Sequence, residues 1–265
     1  MTDHCFVVPA HGESPHLEEC LRSLAAQTIP SRIIVTTSTP NPLISGLAAR
    51  YATGLHVNER QEGIGADWNF ALDAADATWV TLAHQDDVYV PDFLAQTLLG
   101  IERHPEALLV LTDYAESIDG RTRSQSTLLR IKRVLLELGF LGGTRASSRF
   151  LKTNTLRFGC AIACPTVTLN LAKTRLRFRT DLRVDLDWAA WLDLARRAGD
   201  FVYIRRPLML HRVHAASETT GAIADGHRAR EDADILRQLW PRFIANAIAA
   251  TYRIAYRSNE VRPAT

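Results

Sequence analysis

Long apolar runs are missing from this 265-residue chain, and so is any excess of charge. Its 31 basic and 29 acidic residues leave a net charge of +2. That balance excludes a general nucleic-acid binder, which needs a concentrated positive surface. No stretch approaches the roughly 20 apolar residues of a membrane span. The opening Cys5-Phe6-Val7-Val8 is too short for a signal-peptide core and is stopped by Pro9. Cysteine is scarce: Cys5, Cys20, Cys160 and Cys164. The Cys160-x-x-x-Cys164 spacing lacks a second cysteine or histidine pair nearby, so no structural zinc site is expected. All four thiols are expected to be reduced and mostly buried. No repeat or low-complexity segment breaks the chain, which excludes a solenoid. The expected location is the cytoplasm, with the inner face of the membrane as the alternative.

The chain is 46% hydrophobic and 23% charged, as a globular protein with a filled core should be. The most telling segment is Trp79 to Phe93, WVTLAHQDDVYVPDF. A short run of strand formers, Trp79 to Ala83, stops at His84-Gln85-Asp86-Asp87. Adjacent carboxylates repel and are costly to bury, so they need a cation or solvent. One reading is an acidic turn that caps the helix starting near Pro91. The other is a hard divalent metal held by oxygens, since open α/β sheets bind ligands at the carboxyl ends of strands.

Around this segment, short apolar runs alternate with helical patterns. Strands are expected at Cys5–Val8, Ile33–Val35, Leu55–Val57, Trp79–Ala83 and Ala107–Leu111. Helices are expected from Ser14-Pro15 (Ser as cap, Pro first), over Ile44–Tyr51, over Ala66–Ala75 behind Gly63-Ile64-Gly65, and over Pro91–His104. This rhythm predicts an α/β fold, a mixed, mostly parallel sheet with helices on both faces. Residues 121–158 then carry nine basic residues against Glu137 alone, interleaved with leucines. They predict a basic amphipathic helix ending at Gly142-Gly143, either a solvated face or a surface that meets anionic lipid or a phosphate-bearing acceptor. Order resumes with a helix over Trp188–Ala198, a strand over Phe201–Ile204 and a long helical region from near Asp225; the residues from Ser258 on should fray.

Five segments carry the chemistry: VVPAHGESPHLEECLRSLAAQT, IIVTTSTPN, GIGADWNFAL, VTLAHQDDVY, and the late pair DLDWAAWLDLA with LHRVHAASET. Their order and content resemble family 2 glycosyltransferases, which have the GT-A fold, over about residues 5–220. The resemblance implies a catalytic domain over 1–220, a nucleotide-sugar half to about 115 and an acceptor half from about 116. A C-terminal helical extension would follow over 221–265. It also implies a nucleotide-sugar donor, a divalent metal (Mn²⁺ or Mg²⁺) and transfer with inversion at the anomeric carbon.

Residue by residue, the resemblance places Pro9, Ala10 and His11 against the nucleotide base. Glu13 either reaches the base or ribose or only charges a helix start. Thr37 and Ser38 stand where many relatives have an aspartate pair, so a uridine nucleotide is a first expectation only; Asn41 could add a polar contact. Asp67 and Asn69 match the helix that lines the donor site. Gln85, Asp86 and Asp87 match the Asp-x-Asp motif, with Asp87 on the metal and Asp86 on the ribose or a metal-bound water. Asp187 matches the base that takes the acceptor proton, with Asp185 as competitor. Arg212 and His214 match a late Arg-x-His-x-x-Ser element, Arg212 toward the diphosphate and His214 toward the metal.

The implied reaction moves a sugar onto a hydroxyl of a glycan or lipid-linked acceptor in bacterial surface polysaccharide synthesis. Phe158 to Asn170 is expected to form part of a half-buried acceptor platform. Peripheral membrane contact through residues 121–158 is an added expectation. The rival readings are a non-catalytic nucleotide-sugar binding module, a sugar-phosphate nucleotidyltransferase and a basic membrane-docking protein, which would explain residues 121–158 but not the rest. The second should show a Gly-rich basic loop after the first strand, where this chain has Ala10-His11-Gly12-Glu13.

Overall fold

The computed structural model describes residues 3–118, 120–214 and 226–258, the last six as backbone only. Ser217 of the late motif, the expected helix start near Asp225 and the tail from 259 lie outside the described residues. Four strands come first: β1 (His4–Ala10), β2 (Arg32–Thr37), β3 (Gly54–Val57) and β4 (Trp79–Leu82). They pair in parallel in the order β3-β2-β1-β4, with Phe6 opposite Ile33 on one side and Thr81 on the other. Parallel pairing puts all four carboxyl ends on one edge. The connecting helices are α1 (Leu17–Ala25), α2 (Pro42–Tyr51) and α3 (Ile64–Ala74). They cover both faces, and β1, β2 and β4 are buried almost throughout, as inner parallel strands must be, while β3 at the sheet edge is half-buried to exposed.

The second half widens the sheet with longer strands. After β5 (Val88–Tyr89) and α4 (Phe93–Arg103), β6 runs from Ala107 to Ile118 and a short β7 (Arg121–Arg123) folds back on it. Next come α5 (Thr127–Phe140), β8 (Arg145–Ala146), α6 (Arg149–Asn154), β9 (Val167–Asn170) and α7 (Leu171–Thr174). Last come α8 (Leu186–Ala195), β10 (Asp200–Val213), α9 (His227–Leu239) and α10 (Arg242–Ser258). The full order is β3-β2-β1-β4-β9-β6-β10-β5. β9 lies antiparallel between β4 and β6, and β5 lies antiparallel to β10, with Leu210 opposite Val88. That last pairing carries residues 211–214 alongside residues 84–87.

Several local expectations shift. The first helix starts at Leu17, because the Ser14 hydroxyl accepts from His16 N in a turn of its own. The basic stretch forms two helices, since Ser126 and Ser148 each cap one by accepting from Leu129 N and Leu151 N. The final helical region breaks at Trp240-Pro241. The expected acceptor platform is mostly core: β9 is buried along its whole length, because it fills the middle of the sheet. α9 and α10 pack into the main core through Ile235, Leu236, Ala245 and Ala249.

Gly65 fixes how closely α3 meets the rest. A Cβ there would run into the Arg179 carbonyl oxygen and the Leu186 side chain. Gly65→Ala gains about 1 kcal/mol of helix propensity. The obstacle is backbone and cannot swing away, so an overpacking cost of about 1–3 kcal/mol dominates. The expected result is a melting temperature lower by roughly 2–4 °C in a thermal unfolding scan; an unchanged or higher value would contradict it.

Candidate active site

One cavity of about 2050 Å³ opens along the edge where β1, β2 and β4 end. Its first side is built at the carboxyl ends of these strands. Pro9 and Ala10 end β1 and His11 follows it; Thr36 and Thr37 end β2 and Ser38 follows it; His84, Gln85 and Asp86 follow β4. Gln85 clamps two of these loops together, accepting from His11 N at 3.0 Å and donating to His11 O at 3.2 Å. Asp67 projects from the first turn of α3 into the same side. Its two oxygens accept from Ser38 Oγ (2.8 Å) and Asn58 Nδ2 (2.9 Å), which fixes the carboxylate in place.

The acidic pair divides by depth. Asp86 lines the cavity, while Asp87 beneath it is 0% exposed. Asp87 Oδ1 accepts from His211 Nδ1 at 3.0 Å and from Arg212 N at 2.9 Å. Its Oδ2 is buried with no hydrogen-bond partner among the described residues, and so is Nε2 of His84. One ligand atom each from His84, Asp86 and Asp87 falls within 4.8 Å of the others. Two orphaned polar atoms, one carboxylate oxygen and one imidazole nitrogen, beside a second carboxylate are what a hard cation with oxygen and imidazole ligands would satisfy, so the donor set fits a divalent metal.

The surrounding charges agree. Burial works against the Asp86 carboxylate, but His84 and the hydrogen bond to His214 outweigh it and hold the carboxyl below its ordinary value. Burial lowers His84, against the pull of Asp87 and Asp86, which favours the neutral imidazole that binds metals. His214 Nε2 lies 2.9 Å from Asp86 Oδ2. Arg212 donates from Nε to Asp86 O (3.0 Å) and reaches Glu19 Oε2 at 2.5 Å, so it ties the acidic loop to α1.

The opposite side of the cavity comes from β6, α5, α8 and the C-terminal helices. Asp187, in the first turn of α8, lines it, and its Oδ1 accepts from Trp188 N at 2.7 Å. Burial raises the Asp187 carboxyl, and Arg228 and the Trp188 N–H hold back part of that rise. Asp185 is fully buried and does not line the cavity; it faces Arg228 at 3.4 Å. Burial pushes its carboxyl upward, with Arg228 holding back part of the rise. Lys132 Nζ donates to Tyr114 Oη at 2.8 Å on the same wall.

Of the residues singled out from sequence, Pro9, Ala10, His11, Thr37, Ser38, Asp67, Gln85, Asp86, Asp187, Arg212 and His214 line this one cavity. Four do not. Asn41 caps α2 by accepting from Ile44 N and donates to Gly12 O, so its amide is taken up by the loop. Asn69 exchanges two hydrogen bonds with the Phe178 backbone. Glu13 is exposed beside the opening, and Asp87 lies under it. Sequence reasoning passed over Asn58, His84, Lys132, Tyr114 and Arg228. Only His84 carried a signal, its place directly before Gln85-Asp86-Asp87.

The model of glycosyl transferase family 2 matches residues 5–172. The chain belongs to this family. Its structural relatives agree on architecture. The UDP-GlcNAc complex of S. aureus TarS residues 1–349 superposes with a TM-score of 0.65 at 16% identity, covering 99% of this chain and 77% of that one. The UDP complex of the same TarS fragment gives 0.60 at 16% identity, over 98% and 73%. A longer TarS structure gives 0.63 at 15% identity, over 99% of this chain but 44% of that one. Among curated proteins, none matches the chain. The fold is therefore the GT-A glycosyltransferase fold, and the family activity is glycosyl transfer. No helix of the described residues is long and apolar enough to cross a membrane.

Proposed function

We propose that this glycosyltransferase is inverting and metal-assisted. It moves a sugar from a nucleoside diphosphate, a UDP-sugar first, to a hydroxyl of a glycan or lipid-linked acceptor in bacterial surface polysaccharide synthesis. One observation carries the reading: the His84–Asp86–Asp87 cluster and the Asp187 carboxylate lie on the wall of, or directly beneath, a single cavity wide enough for two substrates. The solved TarS complexes with UDP and UDP-GlcNAc support the donor class.

In this reading Pro9, Ala10 and His11 pack on the base, and Ser38 and Asp67 meet the base or ribose. The hydroxyls of Thr37 and Ser38 do so without the charge that an aspartate would add. His84, Asp86 and Asp87 would hold a divalent metal, Mn²⁺ or Mg²⁺, with His214 bearing on Asp86. Bound there, it would supply Lewis-acid neutralisation of the diphosphate. Arg212 adds positive charge beside the same group. Asp187 accepts the proton of the acceptor hydroxyl; that oxygen bonds to the anomeric carbon as its bond to the diphosphate breaks. Attack opposite the leaving group inverts the centre. A carboxyl raised by burial is a stronger base than an ordinary aspartate, which suits removal of a poorly acidic proton.

The test is a thermal-shift screen across nucleotide sugars with and without Mn²⁺, followed by assay of nucleoside diphosphate release. A donor at 100 times its dissociation constant should stabilise the fold by about 2.7 kcal/mol, and Mn²⁺ should strengthen that shift. If no nucleotide sugar raises the melting temperature, the donor reading fails. Binding without release under any acceptor would leave a binding module in its place.

A further inference from the structure

The outer face of α5 is apolar where a solvated helix should be polar. At 100° per residue, Leu128, Ile131, Val134, Leu138 and the cap residue Leu141 fall in one arc, opposite the buried Leu129, Leu136 and Phe140. Ile131 is 50% exposed, Val134 62% and Leu141 72%. Leu141 also adopts a left-handed conformation, φ 49°, which suits glycine or asparagine far better than leucine. Its exposed side chain gains little packing within the monomer to offset that strain.

The stretch that carries this stripe, residues 121–158, holds nine basic residues and one acid. Arg121 and Arg123 on β7, Arg130 on α5 and Arg149 at the start of α6 have no carboxylate within ion-pair distance among the described residues. The single acid of the segment, Glu137, is already paired with Arg205 through two hydrogen bonds. Apolar surface framed by unpaired guanidiniums matches the boundary of an anionic bilayer, acyl chains below and phosphates beside. A second copy docking through the same patch would set arginine against arginine. The stripe is also continuous with the cavity, since Leu128 and Ile131 belong to both.

We propose that the outer face of α5, with these four arginines, docks the protein on an anionic lipid surface with the acceptor side of the cavity toward it. The inference stands apart from the donor chemistry, and its test needs no turnover. The whole protein is floated with phosphatidylcholine vesicles that contain or lack phosphatidylglycerol. Wild type should bind only the anionic vesicles and be released by high salt. Val134→Glu with Leu141→Glu, and separately Arg130→Glu with Arg149→Glu, should each lower vesicle partitioning at least about tenfold. None of these four side chains lines the cavity, so melting temperature and donor-induced shift should stay at wild-type values and report intact folding. No binding of wild type to anionic vesicles, or unchanged binding by both variants, overturns the proposal. So does a dimer in sedimentation velocity that Val134→Glu with Leu141→Glu converts to monomer, because the face would then belong to a second copy.

Discussion

Asp187→Asn should lower the rate of sugar transfer by about 10²–10⁴-fold, the usual contribution of a positioned general base. Donor affinity should be kept, because the substitution leaves Ser38, Asp67 and the hydrogen bond between them untouched. The substitution is nearly isosteric, and an asparagine oxygen can still accept from Trp188 N. The fold should therefore survive, and the loss should appear in kcat. The pH profile supplies an independent check. Burial raises the Asp187 carboxyl, so the proton-accepting form is complete only above that raised pKa. Activity should fall as pH drops through it, starting higher than an ordinary aspartate would allow, and Asp187→Asn should erase that limb. Asp185→Asn is the control: a buried carboxyl outside the cavity cannot reach the acceptor, so its replacement by the near-isosteric amide should leave turnover near wild type. Normal turnover by Asp187→Asn, or collapse by Asp185→Asn alone, would reverse the assignment.

Asp87→Asn should remove the metal dependence of nucleotide binding. Wild-type affinity for UDP, measured by calorimetry, should rise with Mn²⁺ and fall back when the metal is chelated. In the variant that metal-dependent gain should shrink by at least about 100-fold, since even residues that only support metal ligands cost 10–100-fold when changed. The neutral amide still accepts from His211 and Arg212 N, so both buried donors keep a partner. Asp87→Ala would strand them, at about 1–3 kcal/mol for each, and would mix instability with lost binding. A full Mn²⁺ response in Asp87→Asn would move the metal away from Asp87 and onto Asp86 and His84.

Much of this site was legible because the first half of the chain is local in its logic. Runs such as Phe6-Val7-Val8 and Val80-Thr81-Leu82 form parallel strands, and parallel strands necessarily end together. That places Pro9–His11, Ser38 and Gln85–Asp86 on one edge. Asn41 and Asn69 bond neighbouring backbone and do not line the cavity, for a physical reason: an amide serves a ligand and a neighbouring backbone equally well. Only the partner within reach decides, and here it is Gly12 or Phe178.

The sequence by itself determined the alternation of strands and helices, the acidic pair at the end of β4 and the carboxylate at the start of α8. These follow from side-chain period and turn chemistry over a few residues. Tertiary structure alone decided where each carboxylate stands. Asp185 and Asp187, two residues apart at a helix start, must point to different sides, but only the docking of α8 and α9 turns Asp187 to the cavity and Asp185 to Arg228. Asp87 sinks beneath Asp86 because β5 pairs with β10, bringing His211 and Arg212 across more than a hundred residues. Strand pairing at that separation depends on the whole sheet and leaves no mark in the local pattern of the chain.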